Sequence, residues 1–225
     1  VALLAIIAIV CVILLNTTTL SGSPKLWRSS AVPQIPRDVY DILVIADKDT
    51  KSREPDGKTW TSVLKRGQLT HQGDGSFRVS FEPEHVIKGE MNEALRGMEL
   101  SELQWFNNQL LTCDDRTGIV YEILNEDIAV PRFILSGGDG SRAKGFKCEW
   151  MCVKDGSLYV GSTGKEWTTP QGVLINHDPT WIKVIEPTGA VRSVEWMHQY
   201  TRMREATGTQ FPGYVVGGPL FSSLL

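Results

Sequence analysis

The stretch LQWFNNQLLTCDDRTGIVYEIL, residues 103–124, decides the fold class. It divides into three short apolar or alternating runs, which are separated by turn residues at Asn107-Asn108 and at residues 116–118. Runs of this length, separated by Asn, Asp and Gly, are typical of antiparallel strands joined by tight turns. The stretch therefore predicts three consecutive antiparallel strands.

The rest of the chain repeats this alternation of short strands and turns. Two further hairpins and two further strands are predicted, at residues 151–162, 181–196, 39–47 and 77–83. Only residues 194–206 show a helical pattern. Strands at such close and regular spacing predict an all-β chain that forms a sandwich, a barrel or a propeller.

An internal repeat distinguishes among these three folds. The turn at Asn107 aligns with the turn at Asp155, and this repeat offset superposes two copies of strand, tight turn, strand and polar loop. The separation falls within the period of roughly 40 to 50 residues that is typical of a propeller blade. The repeat offset also places Ser101 on Glu149, each at the start of a predicted inner strand. Oxygen ligands that converge on a propeller axis suit a hard cation such as Ca²⁺.

Composition excludes several classes of protein. The chain has 225 residues, of which 41% are hydrophobic and 22% are charged, enough for one domain with a sizeable core or for two small ones. This apolar content excludes a wholly disordered chain. The 23 basic residues are balanced by 26 acidic ones, with a net charge of −3, which argues against a nucleic-acid partner.

The four cysteines are too few for a disulfide scaffold. Cys11 lies in an apolar run, and Cys113, Cys148 and Cys152 remain in the folded part. Three residues separate Cys148 from Cys152, not the two of a redox or zinc pair, and on one strand the two thiols lie too far apart to bridge easily. We therefore expect buried free thiols.

The N-terminal residues 1–15 are an unbroken apolar run, VALLAIIAIVCVILL. We expect a signal-anchor or signal helix rather than a core helix, which should show a polar face. Its length of about 22 Å is short of the roughly 30 Å hydrocarbon core, so both readings stay open. We expect residues 16–36 to form a flexible lumenal stalk and residues 37–225 to form the folded domain. The expected location is the secretory pathway, with membrane contact through the helix.

Charged residues cluster at the ends of the predicted strands. They are Asp47, Asp49, Arg96, Asp114, Asp115, Arg116, Lys147 and Glu149. Taken singly, each has an ordinary interpretation as a turn residue, a loop-positioning ion pair or a solvated charge. As a group, they could hold a cation, orient a water and bind phosphates. The sequence contains no HExxH, GxSxG or GxGxxG motif that would indicate another chemistry.

Six co-linear strings carry a resemblance to a known family: IADKDTKS (45–52), RGMELSEL (96–103), DDRTGIVYEI (114–123), GFKCEWMCVKDGSLYVG (145–161), GKEWTT (164–169) and PGYVV (212–216). They resemble the soluble calcium-activated nucleotidases, or apyrases. The resemblance implies a five-bladed β-propeller with Ca²⁺ in its central channel, of which about three blades are present here. It also implies hydrolysis of nucleoside diphosphates, with UDP and GDP preferred, in the ER and Golgi lumen in support of glycan and proteoglycan synthesis.

The resemblance assigns roles to nine residues. The implied metal ligands are Ser101, Glu102 and Glu149. The implied catalytic acids are Asp47, Asp49 and Asp115, with Asp47 and Asp115 the first choices for the base. The implied phosphate-binding residues are Arg96, Arg116 and Lys147. The implied mechanism is hydrolysis in which Ca²⁺ orients the diphosphate, a carboxylate activates water, and the cations stabilise the leaving oxygens.

One position departs from the family pattern. The third channel ligand of the family, a glutamate, falls on Gly218, which has no ligating side chain. From this we expect a truncated product that, on its own, binds Ca²⁺ poorly and does not hydrolyse UDP. Two alternatives stay open: a non-catalytic propeller fragment that binds another subunit, and a carbohydrate-active propeller that uses two carboxylates. The oligomeric state is also open, with a homodimer among the alternatives.

Overall fold

The computed structural model describes residues 10–15, 39–72 and 74–216. These residues form fourteen strands and one α-helix. The elements are β1 (Val10–Leu15), β2 (Val39–Ala46), β3 (Trp60–His71), β4 (Phe77–Gly89), β5 (Leu100–Phe106), β6 (Gln109–Asp114), β7 (Ile119–Leu124), β8 (Ile128–Ile134), β9 (Trp150–Lys154), β10 (Ser157–Gly161), β11 (Trp167–Thr168), β12 (Leu174–Asn176), β13 (Trp181–Ile185), β14 (Val191–Glu195) and α1 (Met197–Ala206).

The strands form three four-stranded antiparallel units. The first unit is β1-β2-β3-β4, the second is β5-β6-β7-β8, and the third is β9-β10-β13-β14. A single parallel bridge, Lys88 to Ile128, joins the first two units into one eight-stranded sheet. The all-β prediction is confirmed, and each unit has the strand order of a propeller blade. Closure of the units into a propeller, and the number of blades, stay predictions.

The predicted repeat is visible in the second and third units. β5 turns into β6 at Asn107 and Asn108, with φ of 49° and 62°, and β9 turns into β10 at Asp155 and Gly156, with φ of 51° and 79°. Two consecutive residues with positive φ match the twist of paired strands, and Asn, Asp and Gly adopt this conformation at the lowest cost. The predicted hairpins at 151–162 and 181–196 and the strands at 39–47 and 77–83 are confirmed, although β4 continues to Gly89.

The predicted N-terminal helix is not supported where the chain is described. Val10–Leu15 is a strand that pairs antiparallel with β2, from Val10 opposite Ala46 to Leu15 opposite Asp41. The physical reason is that a short apolar run rich in Val and Ile suits a buried strand as well as a helix, and periodicity does not separate the two. Residues 1–9 and the predicted stalk at 16–36 lie outside the described residues, as does Gly218.

The predicted helix exists, but it begins later than the pattern indicated. Val194 belongs to β14, where it pairs with Ile182, and α1 begins at Met197. The strand extends the sheet of the third unit, and its backbone hydrogen bonds outweigh the helical spacing of its apolar residues. Among the described residues, no helix is both long and apolar enough to cross a membrane.

Two apolar clusters hold the units together. One contains fully buried side chains from the first two units, including Ile45, Leu64 and Leu100. The other joins the second and third units and includes Leu111 and Leu158. Burying each such side chain stabilises the fold by roughly 1.5–3 kcal/mol. The second unit contributes to both clusters and is therefore the packing centre of the described residues.

A disulfide crosses from the second unit to the third. Cys113 in β6 is bonded to Cys148, with their Cα atoms 6.1 Å apart. The expectation of free thiols is wrong for these two, because 35 residues of chain separate them and only the packing of β6 against the residues before β9 brings them together. Cys152 is a buried free thiol, as expected.

Candidate metal centre

Acidic residues meet where the inner strands begin and end. Asp47 follows β2, Asp115 follows β6, Glu99 precedes β5, and Glu149 precedes β9. Leu100 pairs with Asp114 in the antiparallel ladder, so the start of β5 and the end of β6 lie at the same edge of the sheet. The side chains at this edge therefore come from all three units.

Three of these carboxylates form a triad. One oxygen each of Asp47, Glu99 and Asp115 lies within 4.8 Å of the other two. Glu99 is completely buried and Asp115 is 8% exposed. The Oδ1 atom of Asp115 is buried and has no hydrogen-bond partner. A hard cation with oxygen ligands, such as Ca²⁺, fits this donor set, because it would offset the mutual repulsion and complete the coordination of the unpaired oxygen.

Arg96 closes one side of the triad. Its Nε atom donates to Glu99 Oε1 at 2.6 Å, and its guanidinium also contacts the other Glu99 oxygen and the Asp49 carboxylate. The hydrogen bond to Glu99 raises the pKa of Arg96 above its ordinary value. Burial raises the pKa of Glu99, although Arg96 opposes the shift. Its Nε and Nη2 atoms are already engaged by Glu99 and Asp49, so Nη1 is the group of Arg96 that remains to contact a phosphate oxygen.

Lys147 closes the other side. Its ammonium contacts the Asp115 carboxylate and lies 2.5 Å from Glu149 Oε1, so it links the second unit to the third. Burial alone lowers the pKa of Lys147, but the two carboxylates raise it by more, and the net pKa is above its ordinary value. Burial raises the pKa of Glu149, against the influence of Lys147.

Asp47 is the carboxylate of the triad that is best suited to accept a proton. Burial raises its pKa to about 6, although the backbone N–H of Asp49 donates to Asp47 Oδ1 at 2.6 Å and opposes the rise. The charge of Asp115 raises the pKa further. A carboxylate with a pKa close to neutrality is a more effective general base than an ordinary one.

Asp114 supports the turn that presents Asp115. Its carboxylate accepts hydrogen bonds from the backbone N–H groups of Met98 and Arg116 and from the Thr117 hydroxyl, each at 2.9 Å. Burial nevertheless raises the pKa of Asp114 to about 6. Asp114 therefore holds in place the two loops that carry Glu99 and Asp115. It is not a member of the triad.

The three remaining predicted residues lie near this edge in other settings. Ser101 is the second residue of β5, and its hydroxyl is buried without a hydrogen-bond partner, which fits a ligand. Glu102 lies in a bulge of β5 with φ of 62°. Arg116 forms an ion pair of 2.5 Å with Glu93. The metal roles of Ser101, Glu102 and Glu149 and the phosphate role of Arg116 stay predictions.

The structure thus connects six of the nine predicted residues through the triad and its two cations: Asp47, Asp49, Arg96, Asp115, Lys147 and Glu149. Sequence reasoning missed Glu99, which contributes to the triad, and Glu93, which pairs with Arg116. A signal for Glu99 exists in the repeat, since the repeat offset places Glu99 on Lys147. A charged residue at both equivalent positions indicates that the start of the inner strand carries functional side chains in each unit.

Comparison with known proteins identifies one family. The family model described as Apyrase matches residues 48–223. The chain is 48% identical over 180 residues to soluble calcium-activated nucleotidase 1 of Rattus norvegicus, a match that covers 79% of this chain and 44% of the relative.

Two invertebrate relatives match a similar share of the chain. Identity to the apyrase of Cimex lectularius is 43% over 180 residues, with 78% of this chain and 49% of the relative covered. Identity to apyrase apy-1 of Caenorhabditis elegans is 41%, with 79% and 50% covered. The chain spans about half the length of the curated relatives it matches. The family model covers most of the chain, and on that match the chain belongs to the apyrase family.

Proposed function

We propose that this chain carries the acidic centre of a Ca²⁺-dependent nucleoside diphosphatase, which hydrolyses UDP or GDP to the monophosphate and phosphate. The observation that carries the proposal is the triad of Asp47, Glu99 and Asp115, with Arg96 on one side and Lys147 on the other. Clustered carboxylates suit a divalent cation, and flanking Arg and Lys side chains suit the phosphates that such a cation binds. The names of the rat and mouse relatives, which include calcium activation, support the choice of ion.

One oxygen each of Asp47, Glu99 and Asp115, together with Ser101, would hold the ion, and the second carboxylate oxygen of Asp47 would remain to accept a proton. Ca²⁺, when bound, supplies positive charge that neutralises the diphosphate oxygens. Asp115 and Glu99 are fixed for this task by Lys147 and Arg96, since each carboxylate is already held by an ion pair. This arrangement needs little reorganisation when a ligand enters.

Protein side chains supply the rest of the proposed reaction. A water that donates its proton to Asp47 attacks the terminal phosphorus, and a new O–P bond forms. The bond from that phosphorus to the bridging oxygen breaks, and the nucleoside monophosphate leaves with the electron pair. Arg96 and Lys147 stabilise the negative charge on the phosphoryl and leaving oxygens. Asp49 positions Arg96 through its contact with the guanidinium.

The preference for UDP and GDP and a role in glycan synthesis belong to the same proposal. The disulfide between Cys113 and Cys148 supports an oxidising compartment such as the ER or Golgi lumen, because such bonds are rare in the cytosol. Anchoring to the membrane through residues 1–15 and formation of a homodimer stay predictions.

The test is phosphate release by the purified chain from a panel of nucleotides, in Ca²⁺ and in a chelator. The pattern at Gly218 predicts no hydrolysis of UDP by this chain alone, but the triad and its flanking cations all lie within the described residues. The proposal therefore expects release from UDP and GDP in Ca²⁺ and none in the chelator. Binding of Ca²⁺ without release from any nucleotide would favour the non-catalytic alternative, in which the chain acts by binding another subunit. Hydrolysis of glycosides with indifference to nucleotides would favour the carbohydrate-active alternative.

A further inference from the structure

A cleft lies beside the metal centre on the third unit. It encloses about 330 Å³ of space, including its open mouth. One wall is the segment that leads into β9, and another contains the start of β11. The lining residues that matter here are Gly138, Arg142, Lys144, Lys147, Ser162 and Trp167.

The cleft and the metal centre share Lys147. Its ammonium contacts Asp115 and Glu149 in the metal centre, and the same residue lines the cleft. Ser162 directly follows β10, and the repeat offset places it on Asp114, which directly precedes Asp115. The cleft therefore opens at the same edge of the sheets as the triad.

The lining combines positive charge with an aromatic ring. Three cations line the cleft: Arg142, Lys144 and Lys147. One carboxylate, Asp178, also lines it and accepts a hydrogen bond of 3.1 Å from Arg142. Trp167 is 38% exposed, and the Lys144 ammonium lies 5.5 Å from its ring centroid. An exposed indole stacks on flat rings such as nucleobases, with little regard to which base is present.

Ser162 offers a hydrogen-bonding group with no partner. Its hydroxyl is completely buried and unpaired, although the residue lines the cleft. Its carbonyl is fixed by the indole N–H of Trp150 at 3.1 Å and by the hydroxyl of Tyr200 at 3.2 Å. Buried polar groups are rarely left unpaired in folded proteins, so this hydroxyl is a polar group beside the cleft that the protein itself leaves unsatisfied.

The part of the lining at Gly138 is held by buried groups. The carbonyl of Gly138 accepts a hydrogen bond of 2.7 Å from the Nζ atom of Lys183, which is 1% exposed. Gly138 has φ of 56°, and a Cβ atom there would lie 2.6 Å from Asp178 Oδ1. This part of the lining is therefore shaped before any ligand enters, which lowers the cost of binding.

We propose that this cleft binds the nucleoside part of the substrate, with the base stacked on Trp167. Lys147 then lies at the junction where the phosphates pass from the cleft to the triad. The identity of the ligand rests on the proposed function, but binding in the cleft requires no hydrolysis.

The test is calorimetric binding of two probes to the full chain in the presence of EDTA. GMP carries base, ribose and phosphate, and ribose 5-phosphate lacks the base. Trp167→Ala and Trp167→Leu are expected to weaken binding of GMP roughly 5- to 100-fold, the range for loss of one base–aromatic contact, and to change binding of ribose 5-phosphate by less than about twofold. Trp167→Phe should retain most of the affinity. Trp105→Ala removes a tryptophan that is 45% exposed on β5, away from the lining residues, and is the matched control.

Four results would overturn the proposal: no binding of GMP by the unaltered chain, unchanged GMP affinity in Trp167→Leu, equal weakening of both probes, or the same loss in Trp105→Ala. Circular dichroism of each variant checks the fold, and Trp167→Leu keeps the test decisive if Trp167→Ala unfolds. Neither probe contains a phosphoanhydride bond. The result is therefore independent of whether the chain hydrolyses UDP.

Discussion

The second and third units share one backbone plan and differ in the charges at its edge. The offset that carries Asn107 onto Asp155 superposes their inner hairpins and both of their two-residue turns. At the edge, however, Glu99 of the second unit corresponds to Lys147 of the third, and Asp114 corresponds to Ser162. At these two positions the second unit presents carboxylates and the third presents an ammonium and an unpaired hydroxyl, whereas Ser101 and Glu149 show the opposite exchange of hydroxyl and carboxylate.

This difference shows how a repeated fold acquires a single site. The strands of both units follow the same alternation of apolar residues, and their buried side chains are constrained by packing. The positions at the strand ends carry less of that constraint and vary in charge. The carboxylates at this edge then suit a cation, the ammonium and guanidinium groups suit an anion, and Lys147 links the two sets by its contacts with Asp115 and Glu149.

The largest expected effect comes from removing the proposed base, Asp47, which the first unit contributes to this edge at the end of β2. Asp47→Asn should lower kcat for UDP roughly 10²- to 10⁴-fold, because an amide does not accept the proton of water. Steady-state phosphate release measures the effect. Asp127→Asn alters an exposed acid in the turn before β8 and should leave kcat unchanged. An equal loss in both variants, or none in Asp47→Asn, would contradict the assignment.

The covalent link between the two units gives the next largest effect. Replacing Cys113 and Cys148 together by Ser should lower the free energy of unfolding by roughly 2–4 kcal/mol, since the bond restricts the unfolded chain. Urea unfolding followed by fluorescence is the measurement. Cys152→Ser, at the free thiol, is the control and should cost less. A double variant as stable as the control would show that the two units do not depend on the bond.

Lys147 should contribute less to stability than the disulfide. Lys147→Met leaves Asp115 and Glu149 with like charges and no cation, and it should lower the free energy of unfolding by about 1–2 kcal/mol in the absence of Ca²⁺. The control is Lys65→Met, whose partner Glu84 is 54% exposed, and which should cost less than about 0.5 kcal/mol. Equal unfolding midpoints for the two variants would show that Lys147 does not offset the charges of Asp115 and Glu149.

The smallest effect concerns the titration of the triad itself. Without metal, Asp47 should titrate with a pKa of about 6, raised mainly by burial. The charge of Asp115 adds to that rise, so Asp115→Asn should lower the pKa of Asp47 toward its ordinary value. The measurement is an NMR titration of the Asp47 carboxyl carbon against pH, in EDTA, for the unaltered chain and for Asp115→Asn. Proton loss from Asp47 near pH 4 in the unaltered chain would show that the carboxylate is well solvated and the triad open.

Much of this fold could be predicted from local signals. The two-residue turns at Asn107-Asn108 and Asp155-Gly156 use residues that accept positive φ, and the flanking strands follow from alternation. The strand β3 was missed, because it mixes Lys, Arg, Gly and Gln with its apolar residues. The Val10–Leu15 strand was mistaken for a helix, because nothing in a uniformly apolar run reveals its partner.

The sequence indicated which types of residue form the site, but it did not indicate all of the contacts between them. Acids directly outside strands indicated Asp47 and Asp115 correctly as neighbours. Glu99 was missed because a single glutamate among apolar residues resembles a solvated surface charge, and only the tertiary fold buries it beside Arg96. The bond from Cys113 to Cys148 was missed for a similar reason, since residues far apart in sequence meet through packing of the units.

Calorimetric titration of the purified chain with Ca²⁺ tests the central claim most directly. We predict one bound Ca²⁺ per chain, at least about tenfold weaker in Asp115→Asn, because that substitution removes charge from the triad. Asp127→Asn should bind as the unaltered chain does. Absence of Ca²⁺ binding, or equal affinity in the unaltered chain and in Asp115→Asn, would contradict a cation held by the three carboxylates.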